Sequence, residues 1–211
     1  MDRETNCWYK LDQFGYEALA ETLVSMLLEQ SNIEQDTPFT FVRYQMARMR
    51  VHGRDRTGCV SRSFLLPGQA VITVNRLLTA YLGVKLSDKL RALPSDKQRI
   101  AYLARTTAEV TGLAQFPQYL TLLFEVDALF GNDDRHLNNI AVIQTGSRYS
   151  YCPIFDCGAG LLSNQLMLPM DIEPAALLRS LRARPFNTTF TRQRNAARSP
   201  TGQQLRIPIV T

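Results

Sequence analysis

The chain has 211 residues, of which 45% are hydrophobic, and this is enough apolar material for one domain or for two small lobes that share a cleft. No run of eighteen apolar residues occurs and the four cysteines form no C-x-x-C pair, so the sequence predicts no membrane-spanning helix, zinc knuckle or disulfide framework. The formal net charge of +5 is carried by the C-terminal segment, since the first 170 residues contain 17 basic and 17 acidic side chains.

The first 66 residues are predicted to form a small lobe that contains three strands and one helix. In the helix, Leu19, Leu23 and Leu27 recur at four-residue steps, and Val24 and Met26 widen the stripe. This pattern is typical of a helix that packs its apolar face on a core. In chain order, the predicted elements are a strand at residues 7–10, the helix at 14–30, and strands at 39–49 and 58–66.

Residues 67–211 are predicted to form a larger, mostly helical lobe. A proline in the first turn opens the last of three predicted helices. In chain order, the predicted elements are a helix that begins at residue 71, helices at 97–110 and 117–130, and a hairpin of strands at 140–143 and 149–155. Strands mostly precede helices along the chain, which indicates an α+β protein of two unequal lobes.

The C-terminal segment after residue 170 carries seven arginines and two acidic residues. The arginines are Arg179, Arg182, Arg184, Arg192, Arg194, Arg198 and Arg206. Such a segment could attract an acidic peptide, a phosphoinositide or a nucleic acid, whereas a solvated tail is the simpler interpretation. Aromatic residues do not alternate with these arginines, so we expect no direct binding of nucleic acid.

A polar loop at residues 131–140 carries the strongest chemical signal in the sequence. It reads Gly-Asn-Asp-Asp-Arg-His-Leu-Asn-Asn-Ile, and it places a carboxylate at Asp134 and an amide at Asn139. A second carboxylate, Asp156, follows at the end of an apolar strand, in the sequence Ile-Phe-Asp-Cys-Gly. In a phosphoryl-transfer site one Asp orients the attacking hydroxyl, while an Asn and another Asp hold magnesium. The spacing therefore predicts such a site, and a polar turn before a buried hairpin is the simpler alternative.

Lys10 is predicted to bind the nucleotide phosphates. It is one of four lysines, and it alone ends a strand that leads into a helix. In phosphoryl-transfer lobes a strand lysine binds the phosphates while a helix glutamate holds its ammonium group in place. Glu17 and Glu21 lie four residues apart on one face of the helix, and Glu21 is the preferred partner because it lies further along the helix. A solvated helix face is the alternative for either glutamate.

Together these residues resemble the HipA-like kinases, a bacterial branch of the protein-kinase-like fold, and more distantly the phosphoinositide kinases. The resemblance covers most of the chain, including the Lys10 strand, the Glu-bearing helix, the 131–140 loop, Asp156, and a distal segment at residues 183–186 with Gln193. It implies a partial N-lobe at residues 1–66, and a C-lobe at 67–211 with a catalytic loop at 131–140 and a metal-binding strand at 149–158.

The resemblance also implies the cofactors and a role for each site residue. ATP and Mg2+ would be the cofactors, and a Ser or Thr of a protein would be the substrate. Asp134 would be the catalytic base, His136 would support the geometry of its loop, Asn139 and Asp156 would be magnesium ligands, Lys10 would anchor the phosphates, and Glu21 would be its ion-pair partner.

The sequence departs from the family near both ends. No glycine-rich loop precedes Lys10, and the closing helices expected after Ile207 do not follow, so we expect the chain to correspond to the central portion of a kinase. The resemblance implies a possible antitoxin-like partner, and the glycine-rich loop is absent, truncated away or supplied by a partner chain that completes the N-lobe.

The residues leave three functions open. Serine/threonine protein kinase activity in the cytoplasm is the first interpretation. A nucleotide-binding module that turns over poorly without the phosphate-covering loop is the second. A lipid kinase is the third, and only the sequence Asp134-Arg135-His136 and the basic C-terminal segment favour it.

Overall fold

The computed structural model describes residues 4–198 and residue 206. Within these residues the chain forms eight helices and two antiparallel sheets of three strands each. In chain order, the elements are β1 (Cys7–Leu11), α1 (Glu17–Glu29), α2 (Ile33–Asp36), β2 (Gln45–Val51), β3 (Arg54–Arg62), β4 (Gln69–Thr73), α3 (Val74–Leu82), α4 (Leu86–Arg91), α5 (Asp96–Thr111), α6 (Phe116–Phe130), β5 (Ala141–Thr145), β6 (Arg148–Tyr151), α7 (Pro174–Ser180) and α8 (Phe190–Ala197). In this part of the chain, no helix is both long enough and apolar enough to cross a membrane.

The first sheet has the strand order β1-β3-β2, so β3 lies between the other two strands. Lys10 of β1 is paired with Cys59 of β3. β3 begins at Arg54, four residues earlier than predicted, because His52 and Gly53 alone make the turn from β2. Both residues have positive φ, as the tight two-residue hairpin turns require.

Residues 39–44, which were predicted to be part of a strand, run beside Ile154 instead of joining the first sheet. The N–H of Val42 donates to the carbonyl of Ile154 at 2.9 Å, and the N–H of Ile154 donates to the carbonyl of Thr40 at 2.8 Å. Phe39 and Phe41 are buried here in the main hydrophobic core. This extended segment therefore ties the N-terminal part of the chain to the segment that carries Asp156.

α1 packs on the sheet with the face opposite to the predicted one. The apolar stripe is turned outward, with Leu19, Leu23 and Leu27 about 40% exposed and Met26 55% exposed. Val24 is the one member of the predicted stripe that is buried. The inward face consists mostly of small or polar side chains, namely Ala18, Ala20, Glu21, Thr22, Val24, Ser25 and Leu28.

The second sheet has the strand order β4-β5-β6 and belongs to the C-terminal part of the chain. β4 occupies the beginning of the stretch that was predicted to be helical from residue 71. Its β-branched side chains Val71, Ile72 and Thr73 fit the pleated surface beside β5. The helix begins only at Val74, where the Thr73 hydroxyl accepts the N–H of Arg76 at 3.2 Å and caps the new helix.

α6 is the central helix of the C-terminal part and leads directly into the 131–140 loop. It is buried on most of its surface, and two of the buried residues, Glu125 and Asp127, are acidic. Gly131 ends the helix with φ of 66°, a conformation that residues with a Cβ rarely adopt. The loop thus begins at a fixed point on a buried helix.

The basic C-terminal segment is not a solvated tail as far as Arg198, because α7 and α8 fold onto the helical part. Arg192 pairs with Asp96 at 3.3 Å, and Arg198 pairs with Glu125 at 3.3 Å. These arginines serve ion pairs within the protein. The prediction about the chain after Ile207 lies outside the described residues.

Candidate active site

Lys10 lies at the centre of a three-residue ion cluster. Its Nζ is 2.6 Å from Oε1 of Glu21 and 2.5 Å from Oδ1 of Asp156. The ring of Tyr44 lies 5.6 Å from the same nitrogen. Burial opposes the charge, but Glu21, Tyr44 and Asp156 together raise the pKa of Lys10 above its ordinary value. Lys10 is therefore an ammonium group that connects β1 and α1 to the segment after β6.

Glu21, and not Glu17, is the glutamate at Lys10. The Glu21 side chain is 2% exposed, and its second oxygen accepts the N–H of Cys157 at 2.9 Å. The Glu17 carboxylate instead accepts the N–H groups of Phe14 at 2.7 Å and Gly15 at 3.1 Å, which stabilises the turn before α1. Burial of a carboxylate requires such partners, and Lys10 and Cys157 supply them.

Gly158 allows the Asp156 segment to lie against α1. A Cβ at this position would come within 3.1 Å of Cγ of Glu21 and 3.2 Å of the carbonyl oxygen of Glu17. A larger residue would therefore push the segment away from the helix. The Asp-x-Gly spacing thus has a packing reason, because it keeps Asp156 within reach of Lys10.

Asp156 lies beyond the end of its predicted strand. β6 ends at Tyr151, and Asp156 has φ of 60°, in the left-handed region that non-glycine residues adopt at a cost of about 1–3 kcal/mol. Burial opposes its ionisation, but Lys10 lowers the pKa of Asp156 below its ordinary value. Lys10 bonds one carboxylate oxygen, and no hydrogen bond from the described residues uses the other.

The 131–140 loop is closed by hydrogen bonds around the Asp134 carbonyl. That oxygen accepts the N–H of His136 at 2.7 Å and the side-chain amide nitrogen of Asn139 at 3.1 Å. The bond fixes the Asn139 side chain and leaves its amide oxygen without a hydrogen bond from the part of the chain that is described. His136 lies beside Asp134, with Nε2 3.9 Å from Oδ2, and its buried Nδ1 has no partner among the described residues.

Arg135 is the structural centre of the loop, a role that the sequence did not indicate. It is fully buried and donates to both carboxylate oxygens of Asp127 in α6 at 3.1 Å. Its Nη1 donates to the carbonyl oxygens of Asn139 at 3.2 Å and Phe155 at 2.6 Å. Asn132 adds a bond to Asp127 at 2.7 Å. One guanidinium therefore fixes the loop and the residue before Asp156 to the same helix.

The sequence of α6 contains a feature that could have predicted the ion pair between Arg135 and Asp127. Asp127 is an acidic residue within an apolar helical sequence, and a carboxylate in such a place is usually paired. Burial opposes the charge of Arg135, and Asp127 raises the pKa of Arg135 above its ordinary value. Because both side chains are completely enclosed, neither is available for a ligand.

Arg184 is a second residue of the site that was not predicted. Its Nη1 donates to Oδ1 of Asp134 at 2.8 Å from a turn fifty residues further along the chain. Both side chains are open to solvent, with 58% of Arg184 and 47% of Asp134 exposed. Asp134 is therefore only slightly more exposed than Lys10 and Asp156, whose side chains are 41% and 35% exposed.

The oxygen atoms of Asn139 and Asp156 are of the kind that magnesium binds. One oxygen of each side chain accepts no hydrogen bond from the described residues. Mg2+ typically takes one or two carboxylates, with nucleotide phosphates and waters as the other ligands. Within residues 4–198 and residue 206, no group of three or more His, Cys, Asp or Glu side chains could hold a metal ion. The residues present thus fit a magnesium ion that arrives with a nucleotide better than a resident metal.

The comparisons with known proteins support a kinase-like fold. No protein-family model matches the sequence, and no similar sequence was found among curated proteins. The structure is similar to that of the proinflammatory kinase CtkA from Helicobacter pylori, with a TM-score of 0.51 and 15% sequence identity. The similar region covers 74% of this chain and 49% of the other, so the chain spans about half the length of that kinase. At this identity the likeness shows the fold alone.

Proposed function

We propose that this chain binds ATP with Mg2+ and transfers the γ-phosphoryl group to a Ser or Thr hydroxyl of a protein, as a HipA-like kinase does. The observation that carries the proposal is the double ion pair of Lys10 with Glu21 and Asp156. Protein kinases hold nucleotide phosphates with a lysine on a strand and a glutamate on a helix, and they hold magnesium with an aspartate two residues before a glycine. The similarity of the fold to that of a kinase supports the same function.

Each site residue has one task in this mechanism. Lys10 would exchange its bond to Asp156 for a bond to the phosphates and would keep its bond to Glu21. Asn139 and Asp156 would hold magnesium, which neutralises phosphate charge when it is bound. Asp134 would accept the proton of the attacking hydroxyl, the role that the resemblance gives to the aspartate at this position of the loop, and its carboxylate is open to solvent.

A second candidate function is a nucleotide-binding module with little turnover. Among the described residues β1 pairs only with β3, so its other edge has no strand that could carry a phosphate-covering loop. Backbone N–H groups of such a loop usually share the phosphate charge. We propose that a further segment or a partner protein, for example an antitoxin-like one, completes this edge.

The two features that favoured a lipid kinase have structural roles. Arg135 is enclosed and bonded to Asp127. Arg192 and Arg198 are paired with acidic residues of α5 and α6. A protein substrate therefore remains the preferred proposal.

Isothermal calorimetry with Mg-ATP tests the proposal directly. We expect the wild-type chain to bind Mg-ATP, and we expect binding to weaken strongly when magnesium is omitted. A folded wild-type protein that binds neither Mg-ATP nor Mg-ADP would overturn the proposal. Binding without phosphate transfer to any peptide or to the protein itself would select the second candidate.

A further inference from the structure

Arg184 is a cation in direct contact with the 131–140 loop. Its guanidinium bonds Asp134, the residue that is proposed to receive the proton of the substrate hydroxyl. An ion pair as exposed as this one contributes little to stability. Of the other two cations at the site, Lys10 is proposed to hold the phosphates of the nucleotide, and Arg135 is enclosed in the core.

The turn that carries Arg184 is held firmly on both sides. Ala183 is fully buried, and its N–H and C=O groups both pair with Thr188. The side chain of Gln193, which is 1% exposed, donates to the carbonyl of Arg184 at 2.9 Å. Phe186 packs edge-on against Phe124 of α6. The backbone is thus fixed, while the guanidinium at the end of the side chain lies in solvent and is free to change partner.

We propose that Arg184 binds the non-bridging oxygens of the γ-phosphoryl group during transfer. In this step the substrate hydroxyl oxygen forms a bond to the γ-phosphorus, and the bond from phosphorus to the β,γ-bridging oxygen breaks. ADP leaves with that electron pair, and the hydroxyl proton passes to Asp134. Arg184 keeps its proton and turns from Asp134 to the phosphoryl oxygens, which frees Asp134 for the hydroxyl.

The geometry of a guanidinium suits this role. Its planar fork donates two parallel hydrogen bonds to phosphate oxygens, which an ammonium group does not do. An arginine that stabilises the charge of the phosphoryl group is a recurrent device in phosphoryl transfer. The inference rests on the proposed function and adds a catalytic residue to it.

Calorimetry with Mg-ADP and with Mg-ADP plus aluminium fluoride tests the role without a known substrate. Aluminium fluoride mimics the phosphoryl group in transfer, so the wild-type chain should bind the combination more tightly than Mg-ADP alone. Arg184→Ala should bind Mg-ADP with an affinity within about 3-fold of the wild type. The gain in affinity on addition of aluminium fluoride should be about 100-fold smaller in this variant, as is typical when a charge-stabilising donor is lost. Arg184→Lys should recover part of it, and Arg192→Ala, which breaks the ion pair with Asp96, is the matched control and should behave as wild type.

The rate of ATP consumption gives a second readout. Arg184→Ala should lower kcat by about 100-fold and leave the KM for ATP nearly unchanged, because the contact forms only during transfer. A rise in kcat would show that Arg184 blocks Asp134, and it would overturn the inference. The inference would also be overturned if aluminium fluoride raised the Mg-ADP affinity of Arg184→Ala as much as that of the wild type. A wild-type chain that binds no Mg-ADP removes the proposed function itself, whereas these two results remove only the role of Arg184.

Discussion

Arg135 is the residue whose loss should damage the framework of the site most. Replacement by Met keeps a long side chain in the buried position but removes the guanidinium. Asp127 is then left in the core with the amide of Asn132 as its one remaining donor among the described residues. The carbonyl groups of Asn139 and Phe155 lose a charged donor as well.

The magnitude follows from these contacts. Removal of one partner of a buried ion pair costs about 3–5 kcal/mol. Loss of the two carbonyl bonds adds about 1–2 kcal/mol. A total of about 5 kcal/mol is a large part of the 5–15 kcal/mol that typically stabilises a domain. With a urea dependence of about 2 kcal/mol per M, the unfolding midpoint should fall by about 2.5 M.

Urea unfolding followed by circular dichroism measures this change. The double variant Asp127→Leu, Arg135→Met should recover most of the loss, because an apolar pair can replace a buried ion pair at little cost. Arg91→Ala is the matched control, since Arg91 and Asp88 form an exposed pair, and its unfolding free energy should change by less than about 1 kcal/mol. A loss below about 1 kcal/mol in Arg135→Met, or a double variant no more stable than the single one, would refute the reasoning.

Four further predictions concern the ion cluster and the loop. Asp156→Ala should abolish magnesium-dependent nucleotide binding, and calorimetry that shows unchanged Mg-ATP affinity in a folded variant would contradict this role. Asp134→Asn should keep Mg-ATP affinity and lower kcat by roughly 100- to 10,000-fold, and equal loss of binding would instead make Asp134 a metal ligand. Lys10→Met should weaken Mg-ATP binding by more than about 10-fold, and it should also destabilise the fold because buried Glu21 loses its ion-pair partner. The double variant Lys10→Met, Glu21→Gln should regain stability but not affinity. If the double variant regains both, Lys10 does not contact the nucleotide. Because Lys10 lowers the pKa of Asp156, the ionised carboxylate stabilises the fold above the ordinary pKa of 3.8, and that stability is lost as the pH falls below this value. The unfolding free energy of Asp156→Asn should therefore depend less on acid pH than that of the wild type. An unchanged pH dependence would refute the ion pair.

The error about α1 shows what a pattern of apolar residues leaves open. The sequence predicted both that the Leu19-Leu23-Leu27 stripe packs on a core and that Glu21 points to Lys10. Residues two apart on a helix are about 200° apart around its axis, so one packed face cannot hold both sets. The structure resolves the conflict in favour of Glu21, because its carboxylate finds partners in Lys10 and the N–H of Cys157.

The shift of the strand and helix boundaries has a local cause in each case. Residues 54–57 are polar and resemble a loop in sequence, but a two-residue turn at His52 and Gly53 lets them pair with β2. Residues 71–73 precede a helix and share its apolar character, but pairing with β5 makes them a strand. In both cases the element boundary depends on pairing with a neighbouring strand, and the periodicity of apolar residues in one segment does not indicate such pairing.

The sequence by itself indicated the candidate residues of the 131–140 loop, because residue types at short fixed spacings are local information. Asp134, Asn139, and Asp156 with the glycine two residues later could be named as candidates without any knowledge of the fold. The tertiary structure alone decided that Arg135 is a buried support on Asp127 and that Arg184 bonds Asp134 across fifty residues. Those contacts join segments that are far apart in the sequence, and their free energy depends on burial and on the direction of each side chain, which only the packed chain defines.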